Sequence, residues 1–413
     1  MHILQIDLKK ISVLPALMMF IFAAYVSISF NAIEMRMASY MLLGMMLLTF
    51  LGTSYLLVRE RTIPLMGIIF FTFILMVELM SVITNMAWKE WIYSSVSVLM
   101  ILTLFHYYRD DIRPMIIGAS VGFSIAVYMQ LYQCVTSPEL WLVSDAKLSS
   151  GYVLGDNYNG VGCRIICAFA ANVLCLKITK WWWMNVVPLT ISSLAILIMV
   201  QSMTSLSSMV LLIVLCLIPH TFVQRLCTFG VFVASALFEV FVCFQGKGIE
   251  NNDLARWFIV EVLGKDVTFS LRTEKWDAAF RLFTESPIWG YGYPTDQWYY
   301  ANLSSHAMGP HNFFLGIMLY GGIIGVCLFA WAVYLAYKRL LNYHDRFSNA
   351  ILATTAVYSV MMLMECYPVQ YLFFIVVLAY YYKEQSSPIE VFCPPKTGES
   401  KVEQSSMRWG EDL

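Results

Sequence analysis

From Asn312 to Tyr337 the chain reads NFFLGIMLYGGIIGVCLFAWAVYLAY, a run without a charged side chain that closes on Lys338 and Arg339. A bilayer hydrocarbon core about 30 Å thick takes roughly 20 apolar residues in a helix to cross. This run is long enough. Similar runs lie at about 11–31, 38–58, 63–84, 90–108, 114–134, 159–177, 182–201, 206–223, 226–244, 349–366 and 369–383. They are continuous rather than alternating, which argues for helices and against barrel strands. Of the 413 residues, 59% are hydrophobic and 13% charged, where soluble domains carry about 25% charged residues. Mean hydropathy is +0.68. The sequence predicts an all-α, polytopic integral membrane protein with about 12 transmembrane helices and both termini on one side.

The Lys/Arg bias sets the orientation. Lys9, Lys10, Arg59, Arg61, Arg109, Arg113, Lys177, Lys180, Arg225, Lys338, Arg339 and Arg346 all fall on one side, and the short loops opposite hold little beyond Arg36, Lys89 and Lys147. The rich side is predicted to be cytoplasmic. The long polar loop 245–311 and the smaller loop at about 135–158 then lie outside the cytoplasm. The membrane domain occupies residues 1–383, and the polar tail 384–413, with Pro388, Pro394 and Pro395, reads as disordered. The first run spans and lacks a clear small-residue cleavage site, so no cleavable signal peptide is predicted. The cytoplasmic loops are too short for a nucleotide-binding domain. Walker-type and GxGxxG signatures are absent, and nothing points to nucleic acid.

The loop 245–311 is the one long polar interruption, and chemistry is expected there. Ser270 can cap a short helix with Thr273 and Glu274 in its first turn. Trp276, Ala279, Phe280 and Phe283 would form its apolar stripe, Pro287 would end it, and Gly290-Tyr-Gly292-Tyr-Pro294 must turn. Arg272, just inside that helix, offers a permanently charged fork suited to phosphate oxygens; a solvated arginine or a lipid-headgroup contact is the structural alternative. His311 stands at the mouth of the next span, where an imidazole can accept a proton near neutral pH or merely cap the helix. His306 lies nearby in the same loop.

Arg164 and Glu365 fall within spans. A central charge costs about 2.5–3.5 kcal/mol on insertion scales, so each must snorkel or face a partner or a polar cavity. Arg164 has Glu239, Glu365 or a ligand phosphate as candidates. Asp110 and Asp111 lie between Arg109 and Arg113 and read as a solvated charge cluster rather than a metal pair. Trp181–Trp183 read as an interfacial belt. The ten cysteines are scattered; Cys163 and Cys167 share a helix face, but no thiol or imidazole pattern completes a metal site.

The order of features resembles the O-antigen ligase/polymerase superfamily of bacterial envelopes, which includes the Wzy-type polymerases. The resemblance rests on Arg272-Thr-Glu-Lys-Trp276, on Pro287-Ile-Trp-Gly290-Tyr-Gly292, and on His311-Asn312 followed by Gly321-Gly322. The segment Gly155–Gly162, GDNYNGVG, is similar to the family's Asn-containing start of a middle span. One departure is that the stretch Gln201–Ser208 has Met203 or Leu206 where many members place an arginine, so a second diphosphate contact must come from elsewhere, with Arg164 the candidate.

The resemblance implies a GT-C-like fold and a metal-independent, inverting glycosyltransferase without a cofactor. Its donor would be an undecaprenyl-diphosphate-linked oligosaccharide at the outer face of the bacterial cytoplasmic (inner) membrane. Arg272 and His311 would be catalytic, and Arg164, Glu365, Asn312 and Trp276 would bind substrate. A polysaccharide polymerase making lipopolysaccharide or capsule is expected first, a ligase to lipid A-core second and a lipid-linked-oligosaccharide flippase third. Membrane lipids, a chain-length regulator and a flippase are the expected partners. Trp289, Tyr291, Tyr293, Trp298, Tyr299 and Tyr300 can stack on sugar rings or pack into the loop.

Overall fold

The computed structural model describes residues 13–27, 36–138, 160–245, 253, 257, 261, 272–304 and 309–383. These residues form α1 (Val13–Ser27), α2 (Arg36–Arg59), α3 (Leu65–Ile83), α4 (Trp88–Tyr107), α5 (Arg113–Thr136), α6 (Val161–Ile178), α7 (Trp183–Met199), α8 (Met203–Leu217) and α9 (Thr221–Phe238). They continue with α10 (Arg272–Glu285), α11 (Asp296–Asn302), α12 (Phe313–Leu340), α13 (Arg346–Met362) and α14 (Val369–Tyr381). Every apolar run of the sequence lies on one of these helices, and no strand occurs among the described residues. Ser270, His306, most of GDNYNGVG and the tail 384–413 lie outside the described residues.

Among the described residues, seven helices are long and apolar enough to cross a membrane by length and composition: α2, α3, α5, α6, α7 with its leading turn, α9 with its trailing turn, and α12. Helices α1, α8 and α14 are apolar but shorter. Helix α4 opens on Lys89 and Glu90, and α13 carries Arg346 and Asn349. The chain is a polytopic membrane protein. Its two most enclosed helices are α6 and α14, buried on nearly every side. Helices α2 and α9 instead expose Leu48, Tyr55, Phe222 and Leu237, apolar faces suited to lipid.

Without water to compete, helices in a bilayer associate through close packing and interhelical hydrogen bonds. Asn172 of α6 supplies such a node. Its Nδ2 donates to Ser124 Oγ of α5 at 2.9 Å, and its Oδ1 accepts from Trp182 Nε1 at 2.8 Å and Asn185 Nδ2 at 2.7 Å. Tyr128 OH donates to Asn185 Oδ1 at 2.9 Å. Trp182, expected at an interface, therefore also locks α5, α6 and α7 together. The thiol of Cys163 donates to Gly160 O and that of Cys167 to Tyr371 O, so both pack as core residues.

The contacts sort the loops onto two faces. On one, Lys383 pairs with Asp110 at 3.7 Å, Lys177 Nζ donates to Tyr382 OH, and Tyr382 OH donates to Asp345 Oδ1. Arg225 donates to Leu341 O and Tyr343 O there, closing the end of α12. Asp111 accepts from Arg113 Nε at 2.7 Å and from its Nη2 at 2.9 Å. The aspartate pair is thus part of a charge cluster. This is the Lys/Arg-rich face. The opposite face carries the α3–α4 turn, the end of α9, the helices α10 and α11, and the α13–α14 turn with Glu365.

Candidate functional site

Gly321-Gly322 breaks α12 just below its start. Gly322 has φ 56° and ψ −156°, a region that essentially only glycine occupies. A broken helix inside a membrane leaves backbone donors and acceptors that must be paired within the protein. Here the loop SPIWGYG fills the gap. Ile323 N donates to Pro287 O at 2.8 Å, Tyr291 N donates to Leu319 O at 2.7 Å, and Gly292 N donates to Tyr320 O at 3.0 Å. The approach is so close that a Cβ on Gly290 would sit 2.5 Å from Leu319 O. The same loop is tied to α3: Tyr293 N donates to Ser81 Oγ at 2.7 Å, and Thr84 Oγ1 donates to Tyr291 O at 2.7 Å. The P-x-x-G-x-G turn is therefore a splice that fixes α10 against the start of α12.

At that start sits His311, with φ 50°, a left-handed conformation that histidine adopts more readily than most side chains. Asn312 caps α12, its Oδ1 accepting from Leu315 N at 2.9 Å. Its Nδ2 donates to Glu239 Oε2 at 2.8 Å and to Leu363 O at 3.3 Å. Cys366 Sγ donates to Asn312 O at 3.2 Å. These bonds hold the His311 ring toward the α13–α14 turn. There His311 Nδ1 lies 2.9 Å from Glu365 Oε1. Burial disfavours the charge on Glu365, but the His311 contact and the Arg272 guanidinium outweigh it and hold the carboxyl below its ordinary range.

Helix α10 brings the cations. Trp276 is fully buried, and its Nε1 donates to His311 O at 3.5 Å, the long end of hydrogen-bond range. Thr273, Trp276, Ala279 and Leu282 form the buried stripe. The expected stripe held Phe280 instead; that ring is 37% exposed and faces Phe244 at 5.9 Å, because α10 lies against α12 with its Thr273–Leu282 side. Arg272 projects next to Glu365, and its Nε is buried without a hydrogen-bond partner. Of the sequence-selected residues, the structure brings together His311, Asn312, Glu365, Arg272 and Trp276.

Arg164 is buried in α6 and donates from Nη1 to Gln130 Oε1 of α5 at 2.9 Å. Of its candidate partners, Glu365 faces His311 and Glu239 accepts from Asn312. Tyr293 packs between Trp91 and Tyr320, and Tyr291 against Trp298; Tyr299 is buried, whereas Trp289 and Tyr300 are exposed. The loop aromatics thus serve mostly as packing. Sequence reasoning missed the place of Glu239, which sits in a π turn ending α9 (Glu239–Cys243). A carboxylate in the last turn of an apolar run was the available signal. Ser81 and Thr84 carried none. Among the described residues no group of three His, Cys, Asp or Glu side chains is placed to hold a metal ion.

Residues 168–330 match the family model described as O-antigen ligase. This range holds Glu239, Arg272, Trp276, the Gly290/Gly292 turn, His311, Asn312 and the Gly322 break. The chain carries a domain of the O-antigen ligase/polymerase superfamily. That family covers both polymerases and ligases and implies glycosyl transfer on lipid-linked polysaccharide substrates. Arg164 and Glu365 lie outside the matched range. No curated protein matches the chain.

Proposed function

We propose that this protein is a cell-surface polysaccharide polymerase. It transfers a glycan from undecaprenyl diphosphate to the acceptor sugar of a lipid-linked repeat unit, at the outer face of the bacterial cytoplasmic membrane, through a bundle of about twelve crossings. The observation that carries this reading is the His311–Glu365 pair set beside Arg272, on the face opposite the basic loops. With the proton on Nδ1 facing Glu365, the Nε2 lone pair of His311 is left basic. The acceptor hydroxyl oxygen attacks the anomeric carbon and its proton passes to Nε2. The bond from that carbon to the diphosphate breaks, and the electron pair leaves with the diphosphate. Arg272 stabilises the leaving charge. Direct displacement inverts the anomeric centre. No nucleotide or metal is called on in this scheme.

A ligase delivering a finished chain to lipid A-core would use the same residues and differ only in the acceptor. The two are separated by running glycans from the native host on a gel, with wild type, a deletion, Arg272→Ala and His311→Ala at matched protein levels. A polymerase leaves single repeat units attached when inactivated. A ligase leaves the acceptor bare while long lipid-linked chains accumulate. Normal glycan in both point variants would contradict the site and return a flippase to consideration.

A further inference from the structure

The Glu365 carboxylate of the site stands near two cations of α10. Glu365 already faces His311 at 2.9 Å. Two cations, Arg272 and Lys275, stand one turn apart on the same side of α10, where like charges repel. Neither makes an ion pair or a hydrogen bond among the described residues, and the buried Nε of Arg272 has no acceptor. Leaving a guanidinium donor buried without an acceptor is costly, and holding a second cation beside it raises that cost. Lys275 is half-buried on this side rather than splayed into solvent like Arg281 on the same helix. The fully buried Trp276 fixes the rotation of α10, so neither cation can swing away by rolling the helix.

We infer that Lys275 is the second phosphate-binding residue of the donor site, forming with Arg272 a clamp for the two phosphates of a diphosphate. This rests on the proposed transfer from a diphosphate-linked donor and supplies the contact for which Arg164 was the sequence candidate. Arg272, next to Glu365 and His311, takes the phosphate at the scissile bond. Lys275, a turn further along α10, takes the other. A site with two cations at this spacing selects a diphosphate over a monophosphate. Burial and then the Arg272 charge push the Lys275 ammonium below the ordinary lysine value, with Glu365 opposing; a bound diphosphate reverses that balance.

The test uses the full-length protein in lipid nanodiscs, with undecaprenyl diphosphate and undecaprenyl monophosphate as probes and bound lipid read by native mass spectrometry. Wild type should prefer the diphosphate. Lys275→Ala should weaken diphosphate binding at least tenfold while changing monophosphate binding little, so the preference collapses. Lys275→Arg should restore it, and Arg281→Ala should behave as wild type. Raising the pH should weaken diphosphate binding to wild type as Lys275 loses its proton, and that loss should move to higher pH in Lys275→Arg. A merely structural lysine would give neither the selective loss nor the moved limb. If Arg272→Ala loses the diphosphate but Lys275→Ala binds it as wild type does, the clamp is wrong and the donor site stands. If wild type shows no preference for the diphosphate, both fall.

Discussion

His311 Nδ1 and Glu365 Oε1 lie 2.9 Å apart, although 54 positions separate the residues in the chain. The histidine is delivered by the left-handed turn that starts α12, and the carboxylate by the turn between α13 and α14. Glu365→Gln keeps the shape but not the charge that orients the imidazole. Turnover should fall roughly 10²–10⁴-fold, the range of general acid–base catalysis. Combining it with His311→Ala should cost little more, because the two act as a unit. Steady-state assays of the single and double variants check this.

The pair also sets a pH dependence of stability. The folded Glu365 carboxyl is held below its ordinary value of 4.5. Its stabilisation is therefore fully present above about that pH and is lost as pH falls through the lowered value. The thermal stability gap between wild type and Glu365→Gln should be flat from neutral pH down to about 4.5 and close below it. A gap that instead widens below that pH would contradict an ionised Glu365 carboxylate in the folded protein.

The splice makes a sharper demand on glycine. A Cβ on Gly322 would lie 2.4 Å from the carbonyl carbon and oxygen of Ile288, and its φ/ψ adds roughly 1–3 kcal/mol of strain. Gly322→Ala should sharply reduce monodisperse protein on gel filtration. Gly230→Ala, where nothing lies within 4 Å of the added carbon, should be neutral or stabilise α9 by about 0.5–1 kcal/mol.

Asn172 tests packing apart from chemistry. Asn172→Ala removes the acceptor that Trp182 and Asn185 share and leaves them only Ser120 and Ser124, a loss of about 1 kcal/mol per hydrogen bond. The melting temperature should drop by several degrees while activity per folded molecule stays at the wild-type level. An equal loss of specific activity would place the α5–α6–α7 network in the mechanism.

Sidedness can be read by labelling. In a background with the exposed Cys227 and Cys327 replaced by serine, cysteines are placed at the exposed positions Trp289 and His344. A membrane-impermeant maleimide added to intact cells (with the outer membrane, if any, permeabilised) should label position 289 and spare 344. The reverse pattern would put the site on the cytoplasmic side.

Much of this architecture is legible in the sequence because lipid imposes it. A helix that must satisfy its own backbone writes itself as a long apolar run, and all twelve runs coincide with helices. Arg272 and His311 were legible from their places in the one long polar loop, and Glu365 as a charge within an apolar span. Their assembly was not, since it depends on the α13–α14 turn folding back over the start of α12. The motif Pro287–Gly292 was legible as a turn. That it would thread into the Gly322 break is a relationship between backbones, which no side-chain pattern records. The face of α10 was misjudged for a related reason: Thr273 reads as a polar first-turn residue, yet the contact with α12 buries it and leaves Phe280 at the edge.

We propose the His311–Glu365 pair as the centre of glycosyl transfer. Its most direct test is turnover of a purified lipid-linked oligosaccharide by the protein in nanodiscs, with extended product and released undecaprenyl diphosphate both measured by mass spectrometry. Wild type and Asn172→Ala should form product with one diphosphate released per linkage, and His311→Ala should form almost none while still binding the donor. Wild-type turnover by a folded His311→Ala protein would contradict the account.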